Sequence, residues 1–446
     1  MVFDDVAGES AMGCEMKARS TSGNLELVLT IALAMGVMSF EQGSLGYLLP
    51  FIQPDLRLTN TEIGAAASTY WAAFALASYG MGILADSRGG VRRYLIAVLA
   101  VFGVCSLLSG LVGGFGSLLL VRAIMGVLAG ALLTLTQSLL GLSSPPAKVG
   151  ANMGLAMGLG GSLSGLIIAP LVLVQVASAF GWRVGYFIIA APAWLAAVLV
   201  WTNVREPSLG LGTTAAAGLR GLMSGLAEVL RYRNIQLCAL LCSFYVAYVG
   251  LGMTFLPLFF VRARGFSPTR MSTLVAVLGA SSLLFSIVLP AISDRFGRKR
   301  VLVAACGLGM LTPLAAYAYH GPPIVLGALL FIGWSMAGTG SFFMGIIPSE
   351  TVQGAILSRA LGSVIALGVL LGGLVGPLIA GWSGDRMGAG APLVVQGACA
   401  AFGMLAALAL RETAPRRSLA RDDGLRSPQD DPAANPAGVA ATKSGR

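Results

Sequence analysis

Twelve long apolar runs dominate this sequence, and each is long enough to cross a lipid bilayer. Spanning the hydrocarbon core takes about 20 apolar residues in a helix. Only 11% of the 446 residues are charged, whereas soluble proteins average about 25%. Since every backbone polar group inside a bilayer must bond within the protein, such runs predict helices. The predicted spans are 25–50, 63–85, 94–111, 118–140, 149–176, 186–204, 235–260, 271–292, 301–319, 324–347, 360–382 and 393–410.

Two polar segments between apolar runs repeat one motif. Each contains an aspartate, Asp86 in segment 82–93 and Asp294 in segment 290–300, followed by a glycine turn and a cluster of cations. The two aspartates are separated by nearly half the chain. A hairpin repeated at this interval predicts two similar halves, and internal symmetry of this kind is typical of many transporter folds.

The motif resembles G-x-x-x-D-[RK]-x-G-[RK]-[RK], the loop between helices 2 and 3 of the major facilitator superfamily and its repeat between helices 8 and 9. The second copy departs from it at Pro290, where the family has glycine. In the first copy Ser87 replaces a basic residue and the basic pair moves to Arg92 and Arg93. The resemblance spans about residues 25–411. It implies an all-α membrane protein with twelve transmembrane helices in two pseudo-symmetric six-helix bundles.

Polar segments divide the chain into five parts. The largest internal polar stretch separates the two sets of six apolar runs, and the tail is rich in Arg, Asp, Pro, Ala and Ser, which is typical of disorder. The predicted parts are a disordered cytoplasmic N-terminus (1–24), an N-terminal six-helix bundle (25–204), a cytoplasmic linker (205–234), a C-terminal six-helix bundle (235–411) and a disordered cytoplasmic tail (412–446).

The distribution of Arg and Lys predicts the orientation. Loops that would be cytoplasmic if both termini are inside carry most of these residues, as the positive-inside rule requires. We therefore expect a multi-pass protein of a bacterial inner membrane with both termini in the cytoplasm. Segment 261–270 is the exception, because it places Arg262, Arg264 and Arg270 outside.

Two ionisable residues, Glu41 and Arg122, stand inside the predicted membrane helices away from their ends. A charge in hydrocarbon is costly, so such residues are candidates for function. Two interpretations remain open: a working site for substrate and protons, or a permanent ion pair that only orders the bundle.

The family resemblance adds roles to these two residues. It implies that helices 1, 4, 7 and 10 line a central cavity, and Arg122 with Gly126 matches the R-x-x-x-G motif of helix 4. An acid in helix 1 with an arginine in helix 4 resembles the spinster branch, although the second acid of that branch is replaced here by Ala129. Glu41 is thereby predicted to couple protons, and Arg122 to bind substrate.

Other candidates have weaker support. Asp86 and Arg92 in the first motif, and Asp294, Arg295 and Arg298 in the second, are gating residues by resemblance. Several polar or aromatic residues of the predicted cavity helices could bind substrate, although each is more often a packing residue. These are Gln42, Gln137, Tyr245, Tyr248, Trp334, Ser335 and Thr339.

The sequence contains no metal motif, phosphate-binding loop or nucleophile–base set, so we expect neither an enzyme nor a cofactor. The net charge of +10 is explained by the inner loops rather than by nucleic acid. Arg122, and the stretch 161–170 that resembles anion:cation symporters, favour proton-coupled symport of a small organic anion. The alternative is proton-coupled export of a drug or lysolipid-like amphipathic molecule. The expected partners are the substrate, protons and lipid, and the expected state is a monomer.

Overall fold

The computed structural model describes residues 3–88, 90–145, 148–206, 231–352 and 355–413, and the described part is built from helices without strands. Most of the predicted linker 205–234 and of the predicted tail 412–446 lies outside these ranges, so the domain boundaries stay predictions. Side chains are described except at 1–24, 79, 82–83, 85–88, 150–151, 355 and 358 and in the gaps between the ranges.

Within the described residues, twelve membrane helices, labelled α1 to α12, follow one another along the chain, each on a predicted span. The N-terminal six are α1 (Phe3–Leu56), α2 (Asn60–Arg88), α3 (Val91–Gly110), α4 (Phe115–Ser143), α5 (Val149–Met157, a π-helical stretch Gly158–Ile168, then Ala169–Phe180) and α6 (Trp182–Asn203).

The C-terminal six helices repeat this order. They are α7 (Arg233–Arg262), α8 (Pro268–Phe296), α9 (Arg298–Gly309 and Leu311–Ala318), α10 (Pro323–Gly333, a 3₁₀ stretch Trp334–Thr339, a π-helical stretch Phe342–Ile346, then Ile347–Thr351), α11 (Ala355–Met387) and α12 (Ala391–Ala409). The prediction of twelve membrane helices in two bundles is confirmed. Helix α1 begins at Phe3, within the segment 1–24 that the sequence predicted to be disordered, and several other helices extend a few residues beyond the predicted spans.

The two bundles meet through helices that correspond by symmetry. Helix α2 packs on α11, α5 packs on α8, and α1 packs on α7. Glycines permit the closest approaches: a Cβ at Gly64 of α2 would overlap the Pro377 carbonyl of α11, and one at Gly279 of α8 would lie 2.5 Å from the Leu166 oxygen of α5. Small residues allow the two backbones to approach closely, as is common where membrane helices cross.

Hydrogen bonds close the halves against each other at the end where α1 connects to α2, called the outer end below. Asp385 of α11 accepts bonds of 2.8 Å from the backbone N–H groups of Asn60 and Thr61. A side chain of one half thus caps the first turn of a helix in the other. Nearer the middle of the bundle, Ser68 donates to the Leu374 carbonyl at 2.7 Å.

Candidate functional site

Glu41 of α1 and Arg122 of α4 form an ion pair inside the N-terminal bundle. Glu41 Oε1 lies 2.5 Å from Arg122 Nη2, and the side chains are 0% and 2% exposed. The sequence singled out these two residues, and the structure brings them into direct contact. Because removing two charges from water is costly, each depends on the other for its stability in this position.

Two tyrosines from two further helices complete the surroundings of the pair. The rings of Tyr70 in α2 and Tyr186 in α6 each lie with their centroids 5.8 Å from Arg122 Cζ. Aromatic faces at this distance attract a guanidinium. Four helices of one bundle therefore enclose a single positive and a single negative charge.

Three buried polar atoms of this cluster have no hydrogen-bond partner among the residues that the structure describes. They are Glu41 Oε2, Arg122 Nε and Tyr70 Oη. Most buried polar atoms in folded proteins are paired, since leaving one unpaired costs about 1–3 kcal/mol. These atoms are free to form further bonds, Glu41 Oε2 to a proton and Arg122 Nε to a ligand oxygen.

Two glycines that follow Arg122 explain why α4 lies so close to α2. A Cβ at Gly126 would overlap the Tyr70 carbonyl, and one at Gly130 would overlap the Phe74 carbonyl. Residues four apart share a helix face. Arg122 stands one turn before Gly126, so the close contact between the two helices brings its side chain to the Tyr70 ring.

The two candidate glutamines of the N-terminal bundle are not among the residues of the Glu41–Arg122 cluster. Gln42 and Gln137 are both half-buried. Gln42 lies one turn before Gly46 on the same face of α1, and a Cβ at Gly46 would overlap the Met253 carbonyl of α7. Gln42 therefore occupies the face of α1 that is directed towards the other half.

Most of the candidates in the C-terminal bundle bond to groups of that bundle. The Tyr248 hydroxyl donates to the carbonyls of Gly309 and Gly333 at 3.0 and 3.3 Å, and Trp334 Nε1 donates to Ser282 Oγ at 2.9 Å. The structure does not bring these residues together with Glu41 and Arg122.

Three further candidates lie on or against the irregular stretch of α10. Tyr245 is half-buried and donates to the Ala337 carbonyl at 3.2 Å, while buried Thr339 donates to the Met336 carbonyl at 2.7 Å. Ser335 is also buried, and its hydroxyl has no hydrogen-bond partner among the described residues. The substrate-binding roles of these C-terminal residues stay predictions.

The predicted gating residues of the second motif form a network at the opposite, inner end. Arg298 lies 2.6 Å from Asp294 and 2.9 Å from Glu350, which stands in the last turn of α10. The Arg298 backbone N–H also donates to Glu412 Oε1 at 2.8 Å. Arg295 is exposed, and its Cζ lies 5.8 Å from the centroid of the Phe296 ring. This network connects the inner ends of α8, α9 and α10 with the chain that follows α12.

The first motif uses its cations differently. Arg92 donates to the carbonyls of Val200 and Trp201 near the end of α6, and its backbone N–H donates to Glu206 Oε1 at 3.3 Å. The Asp86 side chain lies outside the described residues. A cation at a helix C-terminus offsets the partial negative charge there, so Arg92 fastens α3 to α6.

Sequence reasoning missed Tyr70, Tyr186 and Asp385. A tyrosine within an apolar run carries no charge that would distinguish it. Asp385 lies beyond the predicted span 360–382, where an acidic residue is not unusual. Within the described residues, no group of three or more His, Cys, Asp or Glu side chains could hold a metal ion.

Comparison with known proteins places this architecture in a family. The family model for the Major Facilitator Superfamily matches residues 31–356. A hexuronate transporter of Bacillus subtilis is 25% identical over 86% of this chain and 94% of its own length. A tetracenomycin C resistance and export protein of Streptomyces glaucescens is 25% identical over 78% of this chain and 76% of its own length.

Among solved structures, a bacterial homologue of the human lysosomal transporter Spinster, in an inward-facing and unoccupied conformation, is similar in fold. Its TM-score is 0.68 at 17% sequence identity, covering 86% of this chain and 97% of that one. The family model, the fold and the transporters that it resembles agree, and the chain therefore belongs to the Major Facilitator Superfamily and is a secondary transporter, not an enzyme.

Proposed function

We propose that this transporter carries a small organic anion together with a proton, and that Glu41 and Arg122 couple the two. The observation that supports this most is the buried ion pair surrounded by unpaired polar atoms. Because Glu41 and Arg122 can each bond to another partner, Glu41 can exchange Arg122 for a proton and Arg122 can exchange Glu41 for a substrate. Proton coupling requires that exchange.

The first step in the proposal is competition for the guanidinium. Arg122 uses Nη2 to hold one oxygen of Glu41, while its Nε has no hydrogen-bond partner in the part of the chain that the structure describes. A guanidinium can hold a carboxylate through two parallel bonds. A substrate carboxylate that reaches Arg122 would therefore compete with Glu41, and the hydroxyls of Tyr70 and Tyr186 could donate to it.

The second step is protonation of Glu41. A carboxylate that has lost its cation in an apolar site is strongly favoured to become neutral. Substrate binding at Arg122 would then raise the affinity of Glu41 for a proton, and by linkage the proton would raise the affinity for substrate by the same factor. The two would travel together, which is symport.

Conformational change can be linked to this chemistry through α2. Tyr70 lies over Arg122, and its neighbour Trp71 packs on the C-terminal half, where a Cβ at Gly373 would lie 2.6 Å from Trp71 Cβ. A change in the partners of Arg122 would therefore act on a residue adjacent to the contact between α2 and α11. Alternating access requires that contact to open.

The functions of similar proteins support both the main proposal and its alternative. The hexuronate transporter of Bacillus subtilis favours an organic anion as the substrate, whereas the tetracenomycin C export protein of Streptomyces glaucescens favours export of an amphipathic molecule. The buried guanidinium favours the anion. We further propose a monomer in a bacterial inner membrane, with both termini in the cytoplasm.

The test replaces Glu41 with Gln, which resembles the protonated acid. In proteoliposomes, Glu41→Gln should lose accumulation driven by a pH gradient and keep substrate exchange between equal pools. Hexuronates are the first substrates to assay. Glu26→Gln is the matched control, because Glu26 is an exposed acid of the same helix, and it should behave as the unaltered protein does.

Three outcomes would contradict the proposal. Continued accumulation on a proton gradient by Glu41→Gln would show that Glu41 does not couple protons and that the pair is structural. Loss of exchange as well would place Glu41 in substrate binding or in the fold. Proton-driven extrusion of amphipathic compounds, with no anion uptake, would favour the export alternative.

A further inference from the structure

A groove opens between α8 and α10 on the outside of the C-terminal bundle. It has a volume of about 660 Å³, and its walls include Leu274 and Val277 of α8 and Gly327 and Phe331 of α10. Ile324, at the rim, is 82% exposed. An exposed aliphatic side chain on a membrane helix indicates contact with lipid, so the groove faces the bilayer and not the interface between the halves.

The groove is about as long, measured along α10, as one membrane leaflet is thick. Its α10 wall runs from Pro323 to Ile332, which is about 14 Å at 1.5 Å per residue. Half of the hydrocarbon core is about 15 Å thick. Both α8 and α10 begin at the outer end, so the groove extends from the outer surface towards the middle of the bilayer.

Two arginines stand at the outer end of the groove. Arg270 is part of its lining, and its Cζ lies 4.0 Å from the centroid of the Phe266 ring. Arg264 Cζ lies 5.3 Å from the same centroid. Burial, together with the nearby charge of Arg270, lowers the pKa of Arg264. The two cations are therefore close enough to repel each other.

The two arginines differ in the partners that the protein gives them. Arg264 donates to the carbonyls of Ala316, Tyr317 and Tyr319 at the end of α9. Among the residues that the structure describes, no carboxylate lies within ion-pair distance of Arg264 or Arg270. The buried Nε of Arg270 also has no hydrogen-bond partner. An anion placed here would gain a charge-assisted bond and relieve the repulsion between the two cations.

We propose that the groove binds a phospholipid, with its phosphate at Arg270 and one acyl chain between α8 and α10. The apolar walls fit the chain, and the cation that lines the groove fits the phosphate. The proposal also explains why Arg270, in segment 261–270, stands on the side where the positive-inside rule expects few cations. It is independent of the transport mechanism proposed above, because the groove lies outside the contact between the halves.

Two variants separate the headgroup from the chain. Arg270→Gln removes the cation that lines the groove. Gly327→Phe fills the groove, and a Cβ at Gly327 has room, since it would meet Leu274 Cδ2 at 3.9 Å. Arg386→Gln is the matched control: Arg386 is an exposed arginine at the outer end of α11, stacked over Trp382 at 4.9 Å and remote from the groove lining.

The measurement is native mass spectrometry of the purified protein in mild detergent, with dioleoyl-phosphatidylglycerol or with dioleoylglycerol, which lacks the phosphate. We expect Arg270→Gln to lower retention of the phospholipid about tenfold and to leave retention of dioleoylglycerol unchanged. Gly327→Phe should lower retention of both, and Arg386→Gln of neither. Elution as a single symmetric peak in gel filtration confirms that each variant is folded.

Three results would overturn the proposal. The phosphate site is wrong if Arg270→Gln retains phosphatidylglycerol as the unaltered protein does. The groove is wrong as the chain site if Gly327→Phe retains both lipids. Failure of the unaltered protein to retain phosphatidylglycerol would overturn the whole proposal.

Discussion

The N-terminal and C-terminal bundles repeat one arrangement of helices around very different centres. In the N-terminal bundle, Glu41 and Arg122 form a buried ion pair and leave several polar atoms unpaired. In the C-terminal bundle, the corresponding region holds neutral groups such as Tyr248 and Trp334, whose donors bond to nearby oxygens. Its unpaired atoms, such as Ser335 Oγ, also belong to neutral groups.

The difference indicates a division of work between the halves. Charges that can change partners are costly to bury and are useful where a site must respond to protons or anions. Neutral hydrogen bonds to carbonyls cost less, and in the C-terminal bundle they hold a helix that is 3₁₀-helical at Trp334–Thr339. We therefore expect substitutions that change charge to have their largest effects in the N-terminal half. Substitutions that change the shape of a side chain should have their largest effects in the C-terminal half.

The largest effect is expected from Arg122→Met, which leaves Glu41 buried without its cation. Breaking a buried pair by removing one partner typically costs about 3–5 kcal/mol. The apparent Tm in detergent should fall clearly, and the double variant Glu41→Gln with Arg122→Met should recover most of it. Transport should be absent in both.

The matched control is Arg183→Met, which breaks the pair with Asp55 at the outer end, where both side chains are 44% exposed. Exposed pairs contribute at most about 1 kcal/mol, so its Tm should change little. Equal decreases in Tm for Arg122→Met and Arg183→Met would show that the buried pair is no more important for the stability of the N-terminal half than an exposed pair.

A smaller effect is expected from Arg122→Lys, which keeps the charge but loses the paired geometry of the guanidinium. A lysine cannot hold a carboxylate through two parallel bonds. The substrate concentration for half-maximal exchange should rise about tenfold, or about 1.4 kcal/mol, at unchanged expression. An unchanged affinity would remove the main support for an anionic substrate.

The two polar motifs offer a comparison at the inner end. Asp294→Asn should slow transport several-fold without affecting insertion, because the Arg298 network would lose one of its two carboxylate partners. From the sequence, Asp86→Asn is predicted to act in the same way. Initial transport rates and expression levels measure both effects, and wild-type rates in both variants would rule out a gating role.

The smallest effect is expected from Tyr248→Phe in the C-terminal bundle. Losing the hydroxyl bond to the Gly309 and Gly333 carbonyls should lower stability by about 1 kcal/mol, seen as a small fall in Tm. Substrate affinity should be unchanged, as it should be for the exposed control Tyr317→Phe. A loss of affinity in Tyr248→Phe would instead place this tyrosine at the substrate.

The positions of the membrane helices could be predicted because the bilayer imposes a simple rule. A run that must satisfy its own backbone bonds in hydrocarbon has one common solution, and twelve runs produced twelve helices. Glu41 and Arg122 stood out for the same reason, since charges within such runs are rare. The repeated motif indicated the two halves without any knowledge of packing.

The tertiary structure alone decided which atoms meet. Nothing local in the sequence marks Tyr70 and Tyr186 as neighbours of Arg122, because a tyrosine fits an apolar helix whether or not it faces a charge. Asp385 caps α2 from the other half, more than 300 residues along the chain. Contacts of this kind depend on how twelve helices pack, and packing is set by the whole set of side chains at once rather than by any one segment.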